Sequence, residues 1–181
     1  CKIGENFGIK IPNLGDYRAK IGENSLDFYS DDNYQKIKQL SNSMKFFHWE
    51  LEFPQIFYNE NGEKSKSGGF DIVIGNPPYV RVESIEPELA DYYKTKFESV
   101  YQRCDLFITF IEYGMELLKQ NCRLGFIVSN QFFRAEYGEK IREIIVDKYN
   151  IENLIDYTNY SPWKKISTYS CILFLSKRSK D

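Results

Sequence analysis

A chain of 181 residues, 42% hydrophobic and 17% aromatic, can bury one real core, and the ordinary expectation at this length is a single domain. Its 24 Lys and Arg against 26 Asp and Glu exclude a basic tail, so any phosphate contact must come from a local patch or from other parts of a longer protein. Cys1, Cys104, Cys122 and Cys171 form no CxxC pair and His48 is the single histidine, which argues against a zinc site and for reduced thiols in a cytoplasmic protein. No apolar stretch approaches the ~20 residues of a membrane span, no signal-peptide pattern opens the chain, and the start on Cys rather than Met suggests a fragment.

Residues 1–30 carry glycines without a sustained period and read as irregular. From Asp31 the pattern changes: Tyr34, Ile37, Leu40, Met44 and Phe47 recur every three or four residues, which predicts an amphipathic helix over about 32–47 with Asp31 or Asp32 as its cap. A polar stretch through Pro54 then reads as a surface loop before a strand at Phe70–Ile74. Residues 1–69 are thus expected to be an irregular segment with one helix, and 70–181 an α/β unit.

After Tyr79 come about twenty-five mostly polar residues, longer than an ordinary connection and of the kind that forms lids. Leu106, Phe107, Phe110, Ile111, Gly114, Leu117 and Leu118 mark a helix that starts at Asp105 and closes at Asn121 in a left-handed conformation. "RLGFIVSN" reads as a second strand, Ile141, Ile144 and Ile145 mark another helix, and "IENLIDYT" and "TYSCILFLS" supply two more strands. Strands alternating with helices imply a parallel sheet, and the short link between the last two strands leaves no room for a crossover helix. The expected fold is the C-terminal half of an open, mostly parallel α/β sheet of Rossmann-like type, ending in an antiparallel β-hairpin.

The first strand stops on Asn76-Pro77-Pro78-Tyr79. In an open α/β sheet ligands bind beyond the carboxyl ends of strands, where this tetrapeptide falls. Proline restricts the residue before it to extended conformations and donates no backbone hydrogen bond. The Asn76 side-chain oxygen and the Pro77 carbonyl are therefore placed to accept two hydrogen bonds from a planar –NH₂, and Tyr79 offers a face for a ring to stack on. Such a device recognises a planar amine and aims its nitrogen at an electrophile. A proline pair that merely ends a strand in a rigid turn is the bland alternative.

"FFHWELEFPQIF", "GGFDIVIGNPPYVR", "DLFITFIEYGMELLK", "RLGFIVSNQFFRAEYGEKIR" and "TYSCILFL" together resemble the bacterial DNA adenine-N6 methyltransferases of restriction-modification systems, most nearly those with modification and often cleavage in one long chain. The resemblance covers most of residues 46–176. It implies S-adenosylmethionine as cofactor and double-stranded DNA as partner, with the adenine flipped out of the duplex so that its amino group can be reached. It makes Asn76, Pro77, Pro78 and Tyr79 the catalytic set, with Tyr79 stacking on the base and Asn76 also facing the cofactor. Phe110 matches an aromatic that borders the cofactor's adenine, or else is a core phenylalanine on an apolar helix face. A second aromatic in the loop before the last strand clamps the base; Trp163 takes that place, with Tyr160 as the alternative. Lys164, Lys165, Lys94, Lys96 and Arg103 are candidates for phosphate contact, or solvated surface charges.

Two departures accompany the resemblance. The family's glycine-rich loop and ribose-binding acid precede the catalytic motif, yet residues 1–69 contain no strand, Gly-x-Gly turn and helix in succession. The DNA-reading domain would follow the last strand. The expectation is a fragment that by itself binds cofactor weakly and turns over nothing, within a parent that supplies both parts. Methylation of RNA adenine or of a protein glutamine uses the same tetrapeptide chemistry, and a non-catalytic DNA- or partner-binding module is the further alternative.

Overall fold

The computed structural model describes residues 32–45, 47–158 and 169–178. The chain divides into two compact units, residues 1–52 and 53–181. In the first, the three-to-four spacing forms α1 (Asp32–Met44), three residues shorter than its sequence pattern; the backbone leaves it through Lys45 at a left-handed φ of 48°. A one-turn helix, α2 (Trp49–Glu52), comes next, with the Phe47 ring edge-on to Trp49 at 4.8 Å. The irregular opening and the cap at Asp31 lie outside the described residues.

The second unit starts with α3 (Pro54–Phe57), where proline occupies the helix start, the one place its missing N–H costs nothing. Phe53 and Phe57 meet Phe70 edge-on at 5.7 and 5.4 Å. The chain then turns through a bridge between Tyr58 and Lys64 into strand β1 (Phe70–Gly75). Gly69 has φ +140°, and a Cβ there would stand 2.7 Å from the Leu117 carbonyl oxygen, so only glycine lets β1 begin against its neighbour.

The polar stretch after Tyr79 is not the structureless connection its composition suggests. It contains a 3-10 turn at Val82–Ser84 and a helix, α4 (Pro87–Lys96), again opened by proline. The helix α5 (Leu106–Glu116) ends before Leu118, which instead opens the long strand β2 (Leu118–Ser129). Asn121 is left-handed, at φ 60°, but it lies in the register break between β1 and β2 rather than closing a helix. Two 3-10 turns then lead to α6 (Glu139–Lys148), and after it to β3 (Tyr149–Asp156) and β4 (Ser170–Lys177).

The strands form one sheet in the order β1-β2-β4-β3. The first pair is parallel, joined by a crossover that contains α5, and β4 runs antiparallel between β2 and β3. One of the three strand pairs is parallel and two are antiparallel; the open sheet with its parallel crossover and the closing hairpin match the sequence expectation. The core lies on one face, where the cross-strand pairs Leu124–Leu175, Phe126–Leu173 and Val128–Cys171 stack under Phe107, Ile108, Ile111 and Met115 of α5 and Ile141, Ile144 and Ile145 of α6. On the other face Ile72 and Ile74 of β1 are 67% and 78% exposed. No helix among the described residues is long and apolar enough to cross a membrane.

Candidate active site

Because β1, β2 and β3 run the same way and β4 runs against them, the carboxyl ends of three strands and the start of β4 share one edge. Asn76 to Tyr79 leave β1 at that edge. Pro77 is buried, while Asn76 and Pro78 are exposed and Tyr79 keeps 40% of its surface. The tetrapeptide is therefore anchored through one proline and open on both sides of it.

A backbone bridge just beyond Tyr79 fixes the tetrapeptide from its other end. The Leu106 N–H donates to the Val80 carbonyl at 2.7 Å and the Val82 N–H to the Cys104 carbonyl at 3.0 Å, an antiparallel bridge centred on Arg81 and Asp105. Arg81 also donates to the Arg103 carbonyl at 3.1 Å and lies 3.9 Å from the Asp105 carboxylate. Burial raises the Asp105 carboxyl above its usual range, the nearby Arg81 opposes that shift, and Glu83 adds to it. The long segment between Tyr79 and α5 is thus tied at its neck, directly after the tetrapeptide, and cannot drag the tetrapeptide with it.

Tyr79 rests on the core. Its ring lies 5.9 Å from that of the fully buried Phe107, tilted by 44°, and its hydroxyl hydrogen-bonds the Ser170 side chain at the start of β4. Burial pushes the phenol up, the Ser170 bond draws it part of the way back, and the group stays neutral near pH 7. One face of an aromatic is held from behind and at its tip. That is the construction a stacking platform needs, since an unsupported ring would lose rotamer freedom on binding.

Phe110 stands 39% exposed on α5, whose neighbouring residues Ile108, Thr109 and Ile111 are buried. Trp163, Tyr160, Lys164 and Lys165 lie outside the described residues. Lys94 pairs with Asp91 at 3.3 Å and Lys96 approaches Glu116 at 4.0 Å, while Arg103 is exposed and lends its carbonyl to Arg81. A 440 Å³ depression lined by Asn121, Arg123, Asn150, Glu152, Ser176, Lys177 and Arg178 lies at the opposite edge of the sheet and includes none of the predicted residues.

Sequence reading did not single out Ser170, Phe107, Arg81 or Asp105 as partners of the tetrapeptide. Asp105 carried a signal only as a helix start, where it caps nothing with its side chain, and Phe107 only as part of an apolar helix face.

A family model described as Eco57I restriction-modification methylase matches residues 9–163. The chain is 37% identical over 134 residues to the Type II methyltransferase M.BstVI of Geobacillus stearothermophilus, covering 74% of this chain and 24% of that protein. It is 34% identical over 115 residues to the Type II restriction enzyme and methyltransferase RM.Eco57I of Escherichia coli, covering 62% and 12%. The chain thus spans a quarter or less of the length of these curated relatives. Among solved structures, a Listeria monocytogenes protein described as a class I S-adenosylmethionine-dependent methyltransferase superposes with a TM-score of 0.50 at 24% identity, over 68% of this chain and 36% of that one, a likeness of fold.

Proposed function

The chain belongs to the Eco57I restriction-modification methylase family, and from that premise we propose that it is the acceptor-binding part of an enzyme that methylates the N6 amino group of a flipped-out adenine in double-stranded DNA. The observation that carries the reading is the Asn76-Pro-Pro-Tyr79 turn at the carboxyl edge of β1, half open and backed by Phe107 and Ser170. Asn76 Oδ1 and the Pro77 carbonyl accept the two amino hydrogens, which holds the nitrogen and keeps its lone pair free of the ring. Tyr79 stacks on the flipped base. Two acceptors fixed before the base arrives lower the barrier by orientation, and no separate general base is required because the cationic product loses its proton readily to solvent.

S-adenosylmethionine supplies the electrophilic methyl group. Phe110, an exposed ring on an otherwise buried helix stretch, fits the flat face of its adenine, and Asn76 fits the side toward the acceptor. The described residues contain no glycine-rich turn between a strand and a helix, and on this reading the methionine end is held by residues outside them. The outer position of β1 and the exposure of Ile72 and Ile74 support a parent that adds a strand and a helix layer there. On this reading the 181-residue chain alone binds the cofactor weakly and methylates nothing.

The test uses the full parent protein and labelled S-adenosylmethionine, offered duplex DNA, RNA and a release-factor protein, with Asn76→Ala alongside. Label on DNA as N6-methyladenine that falls at least a hundredfold in Asn76→Ala, with cofactor affinity within about threefold, is the expected result. Label on RNA or protein would keep the chemistry and change the substrate. A folded parent that labels none of the three would leave a binding module.

A further inference from the structure

β2 ends on Ser129 at the edge that carries the tetrapeptide, and the chain turns there through Asn130–Phe133, with Arg134 closing the turn. The turn is tied at several points. The Ser129 hydroxyl accepts the Gln131 N–H at 3.3 Å, and the Gln131 carbonyl accepts the N–H groups of Arg134 at 3.1 Å and Ala135 at 2.9 Å. From α6, Arg142 donates to the carbonyls of Phe132 at 2.6 Å and Ala135 at 2.8 Å, the two residues that bracket Phe133 and Arg134. Gly138 closes on the turn so tightly that a Cβ there would stand 2.1 Å from the Phe132 oxygen. Beneath it, the fully buried Phe132 ring meets Phe107 edge-on at 5.9 Å, and Phe107 is the ring that backs Tyr79. Arg134 thus rides on a braced turn that shares its support with the open ring of the site.

Its own side chain is uncommitted. Arg134 is exposed, and its guanidinium has no hydrogen bond or ion pair among the described residues. The neighbouring arginines differ: Arg142 spends its guanidinium on the two carbonyls, and Arg81 turns to the Arg103 carbonyl and to Asp105. Asp156 feels the Arg134 charge, but its carboxylate already accepts the Asn130 amide at 2.8 Å, the Thr158 N–H at 3.0 Å and the Thr158 hydroxyl at 2.7 Å. A guanidinium is permanently charged and presents a planar fork of donors that fits two phosphate oxygens at once. On a braced turn, only the side chain has to order when such a group is bound.

We infer that Arg134 is a phosphate contact for the acceptor DNA: its guanidinium takes a phosphodiester of the strand whose base stacks on Tyr79. A base reaches Tyr79 only with the phosphates on either side of it, and Arg134 is an unspent cation at the same edge. Such a contact fixes where the strand lies and reads no sequence. The inference rests on the reading of the site as one that takes an adenine of duplex DNA, and it uses described residues alone.

The experiment uses the parent enzyme and a short duplex that it methylates, with Kd read by fluorescence anisotropy over a range of salt. Each phosphate neutralised by a protein cation releases counterions and contributes about 0.9 to the slope of log Kd against log salt. Arg134→Gln is expected to lower that slope by about 0.9 and to weaken binding about five- to tenfold at about 0.1 M salt, while Arg134→Lys keeps the slope. The KM for S-adenosylmethionine, and kcat at saturating DNA, are expected to stay within about twofold of wild type. Arg123→Gln is the control for net charge, since Arg123 is exposed at the opposite edge of the sheet, and it is expected to leave the slope unchanged.

A wild-type slope in Arg134→Gln would overturn the inference, and so would an equal change of slope in Arg123→Gln, which would mark an effect of net charge alone. A slope lost in Arg134→Lys as well, or a cofactor KM that rises together with the Kd for DNA, would mark damage to the turn and overturn it too. A wild-type parent that methylates no DNA would sink the underlying reading instead, and that outcome is known before any variant is made.

Discussion

Glu112 offers a test of how the segment beyond the tetrapeptide is held. It sits on α5, is 8% exposed, and its two oxygens accept the backbone N–H groups of Glu98 at 3.1 Å and Ser99 at 2.8 Å. These lie in the turn after α4, so one carboxylate ties the far end of the long connection to the helix that the connection leads into. Bonds to a charged acceptor contribute about 1.5–3 kcal/mol each, and an N–H left buried without a partner costs about 1–3 kcal/mol. Glu112→Ala removes both bonds and leaves the buried Ser99 N–H unanswered, for an expected loss of about 3–5 kcal/mol. Glu112→Gln keeps one oxygen but turns an –NH₂ toward the other N–H, and an intermediate loss of about 2 kcal/mol is expected. Ser99→Ala is the control: the Ser99 hydroxyl is buried and has no hydrogen-bond partner among the described residues, so its removal is neutral or stabilising by up to about 1 kcal/mol. Urea unfolding of the 181-residue chain, read by circular dichroism at constant m-value, measures all three. A Glu112→Ala loss below about 1 kcal/mol, or a Ser99→Ala loss as large as that of Glu112→Gln, would refute the reasoning.

Two further outcomes are expected. In the parent enzyme Tyr79→Phe keeps the ring on Phe107 and loses only the Ser170 bond, whereas Tyr79→Ala removes a stacking face of about 1–3 kcal/mol, or about five- to 150-fold in kcat/KM for DNA; equal losses in the two variants would remove stacking from the account. The Asp156 carboxyl is held below its ordinary value first by Thr158 and then by Asn130. Its folded pKa is thus lower than its unfolded one, so its contribution is present above about pH 4 and fades as pH falls through the folded value. The Thr158 amide proton, tracked by NMR, is expected to titrate with a midpoint below that of an ordinary aspartate and to be flat in Asp156→Asn; a midpoint at or above the ordinary value contradicts the bonds from Thr158 and Asn130.

The elements with a strong apolar period were legible in the sequence, because period and burial coincide in them. β1, α5, α6 and β4 fall where Val73, Phe107, Ile111, Ile141, Ile144, Leu173 and Leu175 put them, whereas β3 was found from its run of residues although Tyr149 is the one buried residue within it. The helix α4 was not legible, since Ala90 is the only buried hydrophobic residue within it and the rest of "PELADYYKTK" reads as loop. The end of α5 was misread because Leu117 and Leu118 continue the helical pattern while Leu118 is buried as the first residue of β2. A buried leucine looks the same in either element. Asn121 shows the converse, a left-handed residue whose preference is satisfied at a register break as well as at a helix end.

The site divides in the same way. Asn76 to Tyr79 could be found from sequence because two prolines and an aromatic restrict the backbone locally, whatever lies around them. Their supports could not, because Ser170 lies far along the chain and meets Tyr79 only after β4 inserts between β2 and β3. The antiparallel pairing of β3 and β4 predicts a hairpin but not which strand accepts it. Once Ser129 pairs with Ser170, Asn130 has no choice but to face the ends of the β3–β4 connection. The polar residues that frame the tetrapeptide carry no period of their own; strand register places them. A substitution that shifts the β2–β4 register by one residue would therefore leave Asn76-Pro-Pro-Tyr79 intact in sequence, yet turn every side chain of β4 to the opposite face and separate Tyr79 from Ser170.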